Sequence, residues 1–287
     1  MIKDIQAIQE SYSVIGREEE LKKLIVARHA GLHVLIEGPV GVGKTTLAKA
    51  VAGYYGQEFI RVDGDERFTE AKLVGHFEPP LVIEKGWSWD AFIPGPLLKS
   101  MQDGAILLLN EANRFTETTQ NVLLTALDEK IISIPKLGTV KAKKDFMVIA
   151  TQNPEEFIGV TILSEALKDR FVWTRLEYQP ENEEIEIVKS KTGCEEKLAQ
   201  LCVKITRLSR IHPDIRRGAS IRGGIDMAKI LSKLGEHLND IENAAIMALA
   251  TKIELEETGK NIETIISDLV RQALEGEPLF FRAIAKT

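Results

Sequence analysis

Short apolar runs alternate with longer helical stretches between Gly31 and Leu176. Continuous runs of Val, Ile and Leu that are separated by helices are typical of parallel strands covered on both faces. The runs with this character are HVLIE, FIRVD, AILLL, MVIAT and FVWTRLE. The pattern therefore predicts a three-layer α/β domain over residues 1–179.

After Pro180 the pattern changes, and apolar residues recur at spacings of three and four, as they do in amphipathic helices. The segments with this spacing are ENEEIEIVKS, EEKLAQLCVKITRLSRI, IRGGIDMAKILSKLG, DIENAAIMALATKIELE and NIETIISDLVRQALE. Pro180 and the acidic residues that follow it are typical of a helix start. We therefore expect an all-helical second domain over residues 180–287.

Two segments interrupt this simple order. The stretch from Gly75 to Leu98 holds two of the three tryptophans and four prolines, and it predicts an inserted hairpin. A surface loop with an aromatic cluster and a loop that contacts a partner are both compatible with it. The segment KIISIPKLGTVKAKKDF predicts a second hairpin. Its cluster of Lys141, Lys143 and Lys144 is more typical of a solvated edge than of a phosphate contact.

Composition narrows the classes of protein. With 287 residues, 44% apolar and 28% charged, the chain suits one large or two moderate globular domains. We find neither a secretory type of amino terminus nor an apolar run near the roughly 20 residues that span a bilayer. We therefore expect no membrane insertion and a cytoplasmic location. The net charge of −6 argues against general nucleic-acid binding.

The first chemical motif follows the strand HVLIE directly: GPVGVGKT, and then a helical stretch. It matches the phosphate-binding consensus G-x-x-x-x-G-K-[ST] in the required context. Glycines let backbone amides turn toward phosphate oxygens, the lysine neutralises the terminal phosphates, and the threonine hydroxyl ligates Mg²⁺. We expect ATP and Mg²⁺ here, with Thr45 on the metal. The residues expected to contact the nucleotide are Gly38, Pro39, Val40, Gly41, Val42, Gly43, Lys44, Thr45 and Thr46.

Two further strands run into polar residues that suit ATP hydrolysis. AILLL leads into Asn110 and Glu111, and MVIAT leads into Gln152 and Asn153. Open α/β sheets bind ligands at the carboxyl ends of their strands, so these residues should converge on the phosphate loop. Glu111 is placed to polarise the attacking water, and Asn153 to hold that water or a γ-phosphate oxygen.

Asn110 stands where ATP-hydrolysing enzymes usually have an aspartate. As a metal contact it keeps an acceptor oxygen but lacks the negative charge. Because ionic hydrogen bonds are about twice as strong as neutral ones, the loss is roughly 1 kcal/mol, or about a tenfold weaker hold on Mg²⁺. The sequence thus predicts an active site with weaker magnesium affinity or slower turnover.

In their order along the chain, these motifs resemble those of AAA+ ATPases and, more narrowly, of the MoxR family with its helix-2 insert. VIGREEELKKLI resembles the amino-terminal box that packs the adenine, which implies that role for Val14, Ile15 and Gly16. LSEALKDRF resembles the segment that carries an arginine finger, which implies that role for Arg170. GASIRGGIDMAKIL resembles the sensor-2 segment of the lid, which implies that role for Arg222.

The resemblance spans roughly Tyr12 to Leu231 and implies an AAA+ core followed by a helical lid. It also implies an ATPase that forms a homo-oligomer, commonly a hexameric ring. Such proteins act as chaperone-like remodelling or maturation factors, commonly with a partner that has a von Willebrand factor A domain. The sequence departs from the family at Asn110 and at Ile221, where proline often precedes the sensor-2 arginine. It does not name a client.

Three other functions stay open at this point. A DNA-directed motor of the same superfamily would use the hairpin lysines to track a phosphate backbone. An ATP-gated scaffold would bind nucleotide and scarcely hydrolyse it, and Asn110 is the reason to consider it. A P-loop kinase would need neither the sensor arginines nor a helical lid.

Overall fold

The chain divides into two units. Residues 1–39 and 43–177 form the first, and residues 40–42 with the described residues from Tyr178 onward form the second. The computed structural model describes residues 1–154, 163–234, 237–257 and 259–275. The domain boundary between residues 179 and 180 stays a prediction.

Strands and helices are numbered in chain order. The strands are β1 (His33–Glu37), β2 (Phe59–Asp63), β3 (Gly75–Phe77), β4 (Phe92–Pro94), β5 (Ile106–Asn110), β6 (Ile131–Ile134), β7 (Gly138–Lys141), β8 (Met147–Gln152), β9 (Phe171–Arg175), β10 (Ile215–Arg217) and β11 (Glu254–Leu255). The helices are α1 (Ile2–Tyr12), α2 (Glu18–Ala30), α3 (Lys44–Tyr54), α4 (Glu70–Val74), α5 (Pro79–Lys85), α6 (Pro96–Asp103), α7 (Glu117–Asp128), α8 (Glu165–Lys168), α9 (Glu181–Thr192), α10 (Glu196–Leu208), α11 (Ile221–Leu234), α12 (Leu238–Leu249) and α13 (Ile262–Glu275).

The first unit is built on a parallel sheet of five strands in the order β2-β5-β8-β1-β9. The inner strands β5, β8 and β1 are buried along almost their whole length, because helices cover them, and this explains their continuous apolar runs. The edge strands β2 and β9 are only partly buried. Helix α2 packs on β1 and β9, while α3 and α6 pack on β2 and β5. The predicted three-layer α/β fold is confirmed.

The register of the sheet brings the last residues of neighbouring strands side by side. Asp63 at the end of β2 lies opposite Asn110 at the end of β5. Glu37 at the end of β1 lies opposite Gln152 at the end of β8. Since all five strands are parallel, these polar residues collect at one edge of the sheet, where β1 leads into the phosphate loop.

Both predicted hairpins are present. In the first, β3 and β4 pair antiparallel, and α5 lies in the chain between them. Its aromatic cluster centres on Phe77, whose ring lies 4.7 Å from Trp87 and 5.0 Å from Phe92 between centroids. In the second, β6 pairs antiparallel with β7, and the three lysines at 141, 143 and 144 are exposed. Partner contact by the first hairpin stays a prediction.

The second unit is mainly helical, as predicted, and α9 to α13 enclose its apolar core. One prediction there is corrected. DIENAAIMALATKIELE was expected to be one helix, but α12 ends at Leu249, and Glu254–Leu255 forms β11, which pairs antiparallel with β10. The reason lies in the end of that segment, KIELE, which alternates polar and apolar residues with the period of a strand.

Helix length and composition also bear on membrane insertion. Within the described residues, no helix combines the length and the apolar character that crossing a bilayer requires.

Candidate functional site

The phosphate loop has the backbone that its glycines predict. Gly38, Gly41 and Gly43 have φ values of 151°, 83° and 97°, a region that residues with side chains rarely adopt. At Gly38 a side chain is also excluded by space, since an added Cβ would lie 2.2 Å from the carbonyl oxygen of Leu176. The loop is thus shaped for backbone groups to face a ligand.

Helix α3 begins at Lys44, directly after the loop. Its N-cap residue is Gly43, which has no side chain of its own to compete with a phosphate at the helix start. The Lys44 ammonium donates to the carbonyl oxygens of Gly38 at 2.5 Å and Pro39 at 2.9 Å. Thr45 is half-buried and Thr46 exposed in the first turn. Positive charge, the helix dipole and two hydroxyls therefore meet where the sequence motif predicts a nucleoside triphosphate.

Asn110 belongs to a hydrogen-bonded group at the ends of β2, β5 and β8. Its amide Nδ2 donates to Asp63 Oδ1 at 2.7 Å, and its Oδ1 accepts from the Thr151 hydroxyl at 3.1 Å. Thr151 is fully buried, and its oxygen also accepts from the backbone N–H of Glu111 at 3.0 Å. Buried Thr151 therefore joins both residues of the predicted magnesium and water site.

Asp63 brings a carboxylate to this group. Its hydrogen bonds from Arg61 hold the pKa of the Asp63 carboxyl below its usual range, and the bond from Asn110 acts in the same direction, while partial burial opposes them. Arg61 Nη2 lies 2.5 Å from Asp63 Oδ1. The carboxylate, the Asn110 amide and the Thr45 hydroxyl all offer hard oxygen atoms, the type of ligand that Mg²⁺ prefers. These residues fit a magnesium nucleotide.

Glu111 has an unusual backbone and a specific side-chain contact. Its φ of 54° lies in the left-handed region, which is uncommon for a residue with a side chain and occurs often at functional sites. Its carboxylate Oε2 lies 2.7 Å from Arg114 Nε. An added Cβ at Gly64 would lie 2.1 Å from the Glu111 carbonyl oxygen, so only glycine fits there.

Asn153 follows β8, the strand that lies between β1 and β5. It is 5% exposed, and the residue before it, Gln152, donates from Nε2 to Glu37 Oε1. Trp173 Nε1 donates to the other oxygen of Glu37 at 2.7 Å. The sheet thus places Asn153 at the same edge as the phosphate loop and Asn110, which agrees with the predicted convergence of strand ends.

Arg170 lies at the other end of the sheet. It immediately precedes β9, whose first residue Phe171 is paired with His33, the first residue of β1. Its Nη2 forms an ion pair with Asp128 Oδ2 at 2.5 Å, and its Nη1 donates to the Ala166 carbonyl oxygen. The structure therefore does not bring Arg170 together with the phosphate loop of its own chain.

Residues 33–171 match the AAA domain of the dynein-related subfamily. The matched range begins with β1 and contains the phosphate loop, Asn110, Glu111, Asn153 and Arg170. Residues 33–171 therefore form an AAA domain of the dynein-related type.

Relatives of this AAA protein include two that are named as ATPases. The gas vesicle ATPase GvpN of Ancylobacter aquaticus is 27% identical over 230 residues, which cover 72% of this chain and 62% of that protein. Gas vesicle ATPase GvpN1 of Halobacterium salinarum is 26% identical over 264 residues, which cover 86% of this chain and 74% of that protein. The chain thus spans less than two thirds of the Ancylobacter protein.

A solved structure shares the fold over most of the chain. It is a variant of RuvB from Thermotoga maritima, with a TM-score of 0.53 and 20% identity, covering 91% of this chain and 69% of that one. At this identity the likeness shows the fold alone. It adds nothing for or against a DNA-directed motor.

The other residues that were predicted to contact the nucleotide are not part of the hydrogen-bonded group at the sheet edge. Val14 is buried, Ile15 and Gly16 are half-buried, and Gln9 Nε2 donates to the Gly16 carbonyl oxygen at 2.7 Å. Their adenine contacts stay a prediction. Arg222 belongs to the second unit and is exposed in the first turn of α11, which begins at Ile221. Isoleucine in place of proline therefore still allows a helix to start there.

Sequence reasoning missed three residues of this site: Asp63, Thr151 and Arg114. Asp63 and Thr151 belong to predicted strands and Arg114 follows Glu111, and none of the three is part of a motif used to predict the site. The one available signal was that FIRVD ends in an aspartate, at the carboxyl end of a predicted strand. Which strand lies beside β5 depends on the sheet order, and the order is not written in any local pattern.

Proposed function

We propose that this chain is a MoxR-like AAA+ ATPase that binds and hydrolyses Mg-ATP and uses the cycle to remodel, assemble or mature partner protein complexes. The observation that carries the proposal is the convergence of the phosphate loop, Asn110, Glu111 and Asn153 at one edge of the sheet. The relatives named as ATPases support the same activity.

ATP binding rests on the loop and the start of α3. The Lys44 ammonium and the amino-terminal end of the α3 dipole would provide positive charge for the β- and γ-phosphates. Thr45 and Asn110 would hold Mg²⁺, which neutralises phosphate charge when it is bound. Val14, Ile15 and Gly16 would pack against the adenine.

Hydrolysis rests on Glu111 and Asn153. Glu111 would accept a hydrogen bond from the attacking water and polarise it, and Asn153 would fix that water or a γ-phosphate oxygen through its amide. The backbone N–H of Glu111 is bonded to buried Thr151, so its main chain is held firmly. The Glu111 carboxylate is ion-paired with Arg114, and we expect it to exchange this contact for the attacking water when Mg-ATP is bound.

The position of Arg170 supports a ring of identical subunits. Strands β9 and β1 run parallel and in register over five residues, from Phe171 opposite His33 to Arg175 opposite Glu37. At about 3.3 Å per residue, Arg170 starts roughly 16 Å from its own phosphate loop, farther than one arginine side chain extends. Arg170 would therefore serve the γ-phosphate of a neighbouring subunit, and we propose a hexameric ring. Arg222, on the helical unit, would sense the same phosphate.

The partner and location follow from the family resemblance alone. We propose a cytoplasmic ATPase that works with a von Willebrand factor A domain protein on a client complex. Neither relative names a client for this chain.

An ATP-gated scaffold is the second candidate, because Glu111 is ion-paired with Arg114 and Asn110 lacks a charge. It predicts tight Mg-ATP binding with phosphate release near background. The same assays decide between it and the ATPase.

Lys44→Ala tests the proposal, with Lys49→Ala as its control. Lys49 lies on the same helix and is exposed, so its loss removes the same charge from α3 without touching the loop. We expect Lys44→Ala to lose Mg-ATP binding and phosphate release, because the terminal phosphates lose their neutralising charge. Lys49→Ala should retain both in equilibrium binding and phosphate-release assays. Equal ATP binding by wild type and Lys44→Ala would exclude this loop as the nucleotide site.

A further inference from the structure

We propose that Asp63 supplies, through Asn110, the negative charge that the magnesium site of this chain lacks at position 110. Asp63 is a positioning residue here, since it acts on the ion through the Asn110 amide. The inference rests on the proposed Mg-ATPase function and deepens it. It assigns a role to a residue of β2, a strand that neither the phosphate motif nor the hydrolysis motif includes.

Strand register makes the contact between the two residues specific. Asp63 and Asn110 are the last residues of adjacent parallel strands and lie directly opposite each other. Side chains of opposed strand residues project from the same face of a sheet. The resulting hydrogen bond from Asn110 Nδ2 to Asp63 Oδ1 is 2.7 Å long.

The chemistry of the group fixes which way the Asn110 amide points. An ionised carboxylate only accepts hydrogen bonds, so the amide nitrogen must face Asp63. Its oxygen then accepts from the Thr151 hydroxyl and keeps a second lone pair for the metal side. A charged acceptor strengthens such a bond and polarises the amide, which makes the Asn110 oxygen a better ligand or acceptor.

The arrangement also explains why an asparagine suits position 110. With Asp63 in place, an aspartate at 110 would bring two carboxylates to hydrogen-bond distance, and one of them would then be held protonated. Asparagine with Asp63 retains one negative charge and one hydrogen bond. The charge has moved from the end of β5 to the end of β2.

Arg61 provides a way to distinguish this role from a simple surface ion pair. Arg61 lies two residues before Asp63, on the same face of β2, and its Nε and Nη2 bind Asp63 Oδ1 at 3.0 and 2.5 Å. If Asp63 serves the metal, Arg61 competes for its charge, and loss of Arg61 strengthens magnesium binding. If the two residues only form a structural pair, loss of either residue changes Mg²⁺ binding in the same direction.

The experiment measures Mg²⁺ affinity by binding, independently of turnover. The full chain is saturated with the fluorescent, non-hydrolysable analogue mant-AMPPNP, and Mg²⁺ is titrated into wild type and variants. Binding of the analogue in EDTA is measured in parallel and should not change. The matched control is Asp65→Asn, an exposed aspartate two residues away whose side chain accepts from the Arg67 backbone N–H.

We expect Asp63→Asn to weaken Mg²⁺ binding by about tenfold or more, as for other groups that orient a metal ligand. Asp65→Asn should change it by less than about fivefold, and Arg61→Gln should strengthen it by up to about fivefold, as for exposed charges. The double variant Asp63→Asn/Asn110→Asp restores one charge and one hydrogen bond, and it should return Mg²⁺ affinity to within about fivefold of wild type.

Two results would overturn the inference while leaving the proposed function intact. One is an Asp63→Asn variant that binds Mg²⁺ as the Asp65→Asn control does. The other is a loss in Asp63→Asn that the double variant does not recover, which marks a structural role. By contrast, a wild type that binds no analogue with or without Mg²⁺ overturns the proposed function, and the inference with it.

Discussion

At the scale of single residues, the role proposed for Asn110 depends on the residues that bond to it. Considered alone, it removes a charge from the magnesium site. In the structure the Asn110 amide is held between the Asp63 carboxylate at 2.7 Å and the Thr151 hydroxyl at 3.1 Å. In the proposed magnesium site, the negative charge therefore lies one strand away from position 110, on Asp63.

Gly64→Ala is a test at this scale, because the added Cβ would lie 2.1 Å from the Glu111 carbonyl oxygen. Backbone atoms cannot swing aside as a side chain does, so the strand end or Glu111 must move. We expect a loss of about 1–3 kcal/mol in the free energy of unfolding and a clear drop in kcat. Denaturant titration and phosphate release measure the two effects.

Gly193→Ala is the control for that variant. Its site at the end of α9 is open, with no atom within 4 Å of the added Cβ, and its cost comes only from a φ of 70°. We expect a loss of up to about 1 kcal/mol and an unchanged kcat. Equal turnover in Gly64→Ala and wild type would contradict the assigned importance of the Glu111 backbone.

Motif residues could be found from the sequence, and their partners could not. Lys44 and Glu111 follow strands at fixed offsets, so a local pattern suffices to find them. Arg170 and Arg222 were named by resemblance alone, and their roles stay proposals. Asp63 lies 47 positions from Asn110 in the chain, and only the sheet order brings them into contact.

At the scale of elements, His33 joins β1 to β8. It is 3% exposed, and its Nδ1 accepts from the backbone N–H of Val148 at 2.9 Å. Burial lowers the pKa of His33 from 6.5 to about 4, and the nearby Lys130 charge adds to this. The imidazole is therefore neutral in the folded protein at neutral pH, which the hydrogen bond to Nδ1 requires.

This pKa predicts a pH dependence of stability. Between pH 6.5 and about 4 the unfolded chain binds a proton at His33 and the folded chain does not, so stability is lost as pH falls through this window. The loss from this group approaches about 3 kcal/mol near pH 4. Denaturant titrations at pH 7.5 and near pH 4.5, in buffers of equal ionic strength, measure it.

His33→Asn keeps an acceptor for the Val148 N–H and cannot titrate. We expect this variant to lose less stability between the two pH values than wild type, even if it is less stable at pH 7.5. His29→Asn changes an exposed histidine of α2 and should keep the wild-type dependence. The same pH dependence in His33→Asn and wild type would refute the assignment.

The elements themselves were largely predictable, because each sheet strand is a short apolar run between helices. Both hairpins were also predicted from composition and turn signals. The strand β11 was missed because its alternating residues follow α12 with only four residues between them. Helix α5 was missed inside the first hairpin because its start, Pro79-Pro80, is equally typical of a loop.

At the scale of the whole molecule, the proposal that Arg170 serves a neighbouring subunit can be tested by removing its side chain. We expect Arg170→Ala to bind Mg-ATP as wild type does. Its rate of phosphate release should be about a thousandfold lower than that of wild type, as expected for loss of an arginine finger. Lys168→Ala, which changes an exposed residue of α8, should remain active.

Mixing two inactive variants separates action between subunits from action within one. Lys44→Ala lacks the phosphate loop lysine but carries Arg170, and Arg170→Ala has the reverse defect. If Arg170 acts on a neighbour, mixed oligomers contain some complete sites and regain part of the wild-type phosphate release. No recovery in a mixture shown by light scattering to form mixed oligomers would exclude action of Arg170 on a neighbouring subunit.

The central claim is that Glu111 activates water for ATP hydrolysis at this site. Its most direct test is phosphate release under saturating Mg-ATP by wild type, Glu111→Gln and the control Glu117→Gln, an exposed acid at the start of α7. We predict that Glu111→Gln binds Mg-ATP as wild type does but releases phosphate at least about a hundredfold more slowly, while Glu117→Gln is unaffected. Phosphate release by Glu111→Gln at the wild-type rate would contradict the account.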